Sequence, residues 1–92
     1  MSFNRSPTHN DILMLSERVL ESIVHIQTIS ILPLSHERRG LILDLYENSQ
    51  TYLVFLEESA QKLKEDQFVS QALLLPIIKH CDSIEKAWLE IQ

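Results

Sequence analysis

The stretch "SHERRG", residues 35–40, gathers the side chains best suited to chemistry in this chain: His36, the adjacent Arg38 and Arg39, and Gly40, the one glycine among 92 residues. Neighbouring guanidiniums can hold a carboxylate or a phosphate, and an imidazole beside them can accept a proton. The other reactive residues lack such grouping. His80 and Cys81 are adjacent, so a helix turns them about 100° apart and away from a single ion, which makes them a core histidine and a core thiol. Glu57 and Glu58 diverge in the same way and do not form the facing carboxylates of acid–base catalysis. His25 falls with Glu21 and Arg18 on one helical face, the arrangement of a solvated charge cluster. The sequence contains no HExxH, no ExxH and no Gly-rich phosphate loop, and a single glycine cannot build a nucleophile elbow. These residues imply neither a catalyst, a metal site nor a cofactor.

One family motif does touch the stretch. His36-x-x-Arg39-Gly40 resembles the signature of the histidine phosphotransfer family, in which a histidine on a helical bundle is followed at the third and fourth positions by a basic residue and a glycine. The resemblance implies His36 as phosphoryl acceptor, Arg39 as the cation that balances the phosphoryl charge, and Gly40 as the gap that admits a partner's active site. It covers five of 92 positions. Arginine stands where that family usually has lysine, Pro33 and Ser35 put His36 at a helix start, and bulky Leu41, Ile42 and Leu43 follow the glycine.

Arg38 and Arg39 also pose an electrostatic problem, because cations in the first turns of a helix face the positive end of its dipole. An anion nearby would relieve this. In an up-down-up arrangement the end of the third helix lies beside the start of the second, so Glu85, Glu90 and the carboxylate of Gln92 are the expected partners. The Arg38 guanidinium is then in reach of the Trp88 face. The stretch reads foremost as a clasp between two helix ends. A nucleic-acid-binding regulator would use the same two arginines, but the helix that follows Gly40 is acidic.

Three periodic segments must position these residues. The first, about Thr8 to Ser30, places Ile12, Leu15, Val19, Leu20, Ile23, Val24 and Ile26 on half the circumference of a helix. "ILPLS" then makes a turn, and Ser35 caps a second helix from His36 to about Glu65. Its inner stripe is Leu41, Ile42, Leu45, Tyr52, Leu53, Leu56, Ala60 and Leu63. The poor helix formers of "ENSQT", 47–51, weaken it without shifting the phase of the stripe. Asp66 is a candidate cap for a third segment, about Gln67 to Ile91, with Val69, Leu73, Ile77, Cys81, Ile84, Trp88 and Ile91 inward. Pro76 should kink or break it.

The fold class is therefore all-α: an antiparallel up-down bundle of three long helices over residues 8–92, with 1–7 as a flexible tail, completed by oligomerisation or by a partner helix. Composition agrees, with 45% hydrophobic residues that are mostly aliphatic and too few glycines and prolines for turn-rich β structure. A net charge of −5 disfavours a grip on nucleic acid. The longest apolar run, "ALLLPII", is far shorter than the roughly 20 residues of a membrane span. A lone cysteine allows no internal disulfide and suits a cytoplasmic address.

Apolar residues exceed what one stripe can bury. Leu43 and Val54 point away from the main face of the second helix, and "ALLLPII" is apolar around nearly its whole circumference. The function expected is that of a non-catalytic protein–protein interaction module, whether self-associating adaptor, regulator or small subunit of a helical assembly. Its contact surface is placed at Leu43, Val54, Phe55, Leu74, Leu75 and Ile78.

Overall fold

Thr8 caps the first helix. Its hydroxyl accepts the Asp11 N–H at 3.1 Å while the Asp11 carboxylate accepts the Thr8 N–H at 2.9 Å, a reciprocal capping box that satisfies two donors of the first turn. The computed structural model describes residues 7–91, and every element among them is helical. Helix α1 runs His9–Ile29 and α2 runs His36–Lys64. A 3₁₀ turn, Gln71–Leu74, leads into α3, Leu75–Glu90. The tail expected over 1–7 lies outside the described residues save for Pro7.

Helix α2 passes unbroken through "ENSQT". Ser49 and Thr51 would compete with the backbone in an exposed turn, but here each hydroxyl donates to the carbonyl four residues back, Leu45 at 3.0 Å and Glu47 at 3.1 Å. The helix ends on a Schellman motif, with the Gln67 N–H bonded to the Lys62 carbonyl at 2.8 Å and the Asp66 N–H to Leu63 at 3.2 Å. Asp66 holds the left-handed position, φ 58°, that glycine usually fills. It thus stops α2, where the sequence suggested that it starts the next helix.

The third segment departs from expectation. Residues 67–70 are not helical, and Pro76 stands in the first turn of α3, where its missing N–H leaves no intrahelical bond unmade. A long helix kinked at its interior proline is not what forms.

Three helices pack against one another with α1 as the spine, buried at intervals along its whole length at Ile12, Leu15, Val19, Ser22, Ile26 and Ile29. The main core joins Ile12, Leu15 and Val19 to Leu56 of α2 and to Leu74, Ile77 and Cys81, with Tyr52, Phe55, Leu63 and Ile78 packed at its margin. Helix α3 is tied to α1 by Arg18, whose Nη2 lies 2.7 Å from Asp82 Oδ1 and 3.6 Å from Glu85 Oε2, and by His25, stacked on Trp88 at 4.6 Å between ring centroids. Not all of the expected stripes are covered: Leu20, Val24, Leu41 and Leu73 are exposed, because α2 and α3 together cover only part of the apolar half of α1.

Candidate docking surface

Two sides of α1 have neighbours and a third has none among the described residues. With Ile12 as the origin and 100° per residue, Leu13, Leu20 and Val24 fall at about 80° to 120°. They are 47%, 52% and 58% exposed, and Ile31, 82% exposed, follows in the turn beyond the end of the helix. The spacing of seven and four residues is the seam spacing of a helix that packs on another helix. Helix α2 borders this seam and contributes exposed Leu43, half-buried Tyr46 and half-buried Leu53.

Two clefts open along the border. One, of about 340 Å³, lies near the α1–α2 turn and is lined by Ile26, Leu34, Arg39, Ile42, Leu43 and Tyr46 among others. The other, of about 530 Å³, lies at the far end between Leu13 and Ser16 of α1 and Leu53, Glu57 and Lys64 of α2. A third cleft, of about 540 Å³, opens on the other side of α2, where Leu32, Leu41 and Leu45 meet Ala87 and Ile91. An exposed seam between apolar clefts on two packed helices has the shape that accepts an amphipathic helix.

The contact surface expected from sequence is not one surface. Leu74, 4% exposed, belongs to the core, while Phe55 and Ile78 pack against it. Leu43 and Val54 are exposed on the outer side of α2, and Leu75 is exposed at the start of α3. Of the six, only Leu43 lines a cleft between α1 and α2. The seam itself was hidden because Leu20 and Val24 lie on the same apolar half as the buried residues. The connection "ILPL" was a further signal, since a turn between helices is ordinarily polar, and it leaves Ile31 and Leu32 exposed.

The "SHERRG" clasp does not form. Arg38 shares a cleft with Glu37 and Glu90, yet neither Arg38 nor Arg39 makes an ion pair among the described residues, and the Gln92 carboxylate lies outside them. Both side chains are exposed, so water replaces the anion that the helix dipole seemed to require. Glu85 is engaged by Arg18, and Trp88 is stacked by His25 in place of Arg38 because α3 lays that ring against α1. His36 is the first residue of α2 and exposed; its nearest structural consequence is to follow Ser35, whose hydroxyl accepts the Arg38 N–H at 3.2 Å. Gly40 faces open space, with no atom within 4 Å of where a Cβ would stand.

Most polar groups inside the bundle have partners, Gln71 Oε1 being a buried oxygen without one. His80 Nε2 lies 2.7 Å from Ser49 Oγ, and the ring meets Tyr52 edge-on at 5.0 Å. Burial lowers the His80 pKa, and burial likewise pushes the Cys81 thiol up against the opposing hydrogen bond from Ser22. A thiol kept protonated in the core is a poor nucleophile. His25, 3.5 Å from Glu21, is held under Trp88. Among the described residues no group of three or more His, Cys, Asp or Glu is placed to hold a metal ion, and no helix is long and apolar enough to cross a membrane. No family model matches the chain, and no curated protein or solved structure matches it.

Proposed function

We propose that this chain is a non-catalytic protein–protein interaction module, an antiparallel up-down bundle of three helices whose open side takes a further helix. The observation that carries the reading is the exposed seam Leu13, Leu20 and Val24 on a helix that is buried elsewhere along its length, with exposed Ile31 in the turn beyond it. Isolated surface leucines are ordinary, but three in register on one helix face beside clefts form a patch. The antiparallel pairing of α1 and α2 is supported by shared clefts at opposite ends, Ile26 with Ile42 and Ile12 with Ala60. The parallel course of α1 and α3 is supported by the pairs Arg18 with Asp82 and His25 with Trp88. The module would serve as an adaptor, a regulator or a small subunit of a helical assembly, and the single buried thiol suits a cytoplasmic setting.

Affinity enrichment from the native cell tests this, comparing the unmodified chain with Val24→Asp and Leu43→Asp. The expected result is loss of the same protein from both variants with thermal unfolding unchanged. Retention of every bound protein by two folded variants would overturn the reading.

A further inference from the structure

On the reading that the α1–α2 face docks a helix, its charges narrow the occupant: we infer that it takes a basic amphipathic helix from another protein, with lysines or arginines flanking an apolar stripe. On α1, Glu17 falls at about 140° from Ile12, along the outer rim of the seam. On α2, Glu57 lines the far cleft, and Glu47 and Glu58 follow on the outer side of the helix, all of them exposed. The cations that line its clefts, Arg39 and Lys64, stand at its two ends, and Lys62 follows one turn after Glu58 on the outer side of α2, so among the described residues the carboxylates lie mostly between the cations. The face of α1 where Arg18 pairs with Asp82 and Glu85 is covered by α3 and contributes nothing here.

Charge also disfavours a second copy of this chain as the occupant. Two such faces laid together in parallel would set the acidic rims of Glu17 and Glu57 against the same rims of the partner, and facing like charges oppose association. A helix with basic flanks gains the apolar seam and the rim together. Its length would match the seam, which spans the 11 positions from Leu13 to Val24, or about 16 Å at 1.5 Å per residue.

Two synthetic helical peptides with one leucine stripe, flanked by lysines in the first and by glutamates in the second, test the inference by fluorescence anisotropy with the full chain. The lysine peptide should bind at least about tenfold more tightly at low salt, and the gap should narrow as salt screens the rim. Glu17→Lys with Glu57→Lys should invert the preference. Leu20→Gln with Val24→Gln should abolish binding of both peptides while circular dichroism stays unchanged. Equal binding of the two peptides, insensitive to salt, overturns the basic-helix inference and leaves helix docking standing. A folded monomer that binds neither peptide overturns both. A dimer by light scattering that Leu20→Gln with Val24→Gln dissociates identifies the occupant as a second copy and overturns the inference.

Discussion

The hydroxyl of Ser49 has one hydrogen and two neighbours. With that hydrogen on the Leu45 carbonyl at 3.0 Å, the contact at 2.7 Å with His80 is Nε2–H donating to the Ser49 oxygen, an arrangement open to the neutral and the charged ring alike. Burial disfavours the charged ring and pushes its pKa down. The linkage follows directly. A group whose pKa is lowered by folding binds its proton more readily in the unfolded chain, so it costs nothing above the unfolded value and destabilises the fold as pH falls below 6.5 and through the lowered folded value. Urea unfolding across this range should show stability falling towards acid. His80→Gln, which keeps a donor for Ser49 and cannot ionise, should flatten that part of the slope. From sequence His80 was legible as a core histidine, because it is adjacent to a stripe residue. Its partner was not, since Ser49 sat in a run of poor helix formers and nothing in the local pattern shows a serine turned inward to meet a side chain 31 residues away.

At the scale of elements, two positions are occupied by residues that their backbone does not favour. Gly40 lies in the second turn of α2 with open space beside it, so it costs helix entropy without making a close approach possible to any described group. Gly40→Ala should raise stability by about 0.5–1 kcal/mol. Asp66 holds a left-handed conformation at φ 58°, and Asp66→Gly should add up to about 1 kcal/mol by removing the Cβ strain while keeping the Schellman bonds. Thermal unfolding reads both changes, and a lower midpoint for either variant would contradict the argument. Helix existence and most boundaries could be read from caps and periodicity, with Thr8 and Ser35 standing at the predicted starts. The third segment could not, because Asp66 and Pro76 each carry two meanings. An aspartate can open a helix or close one, and a proline that breaks a helix interior is welcome in a first turn.

For the whole molecule, the thinness of the body governs what remains exposed. Its radius of gyration is 14.7 Å, against about 12 Å for a compact chain of this length, and its extents are 47 × 24 × 18 Å. Three helices side by side cannot enclose a second layer, so an apolar half-circumference on α1 is only partly hidden. That is why the seam was invisible to periodicity: Leu20 and Val24 have the same residue types and phase as buried neighbours, and only the direction from which α2 and α3 approach separates them. The sequence did show that apolar surface was in excess, and it placed that excess on α2 and α3, whereas the structure also exposes Leu13, Leu20 and Val24 on α1.

The tie between Arg18 and Asp82, which are 64 residues apart in the chain, also sets an order of assembly. Helices α1 and α2 are joined by the short segment 30–35, so their pairing closes a small loop, while α3 reaches α1 only across the full length of α2. Loop closure favours the α1–α2 hairpin as the folding nucleus and makes α3 the last element to dock. Ile26 and Ile84, each 2% exposed, offer a matched pair for stopped-flow measurement. Ile26→Val should slow folding, whereas Ile84→Val should leave folding nearly unchanged and speed unfolding, each within about 0.5–1.5 kcal/mol of destabilisation. During synthesis, the seam of α1 is thus presented in a paired hairpin before the third helix emerges to complete the bundle.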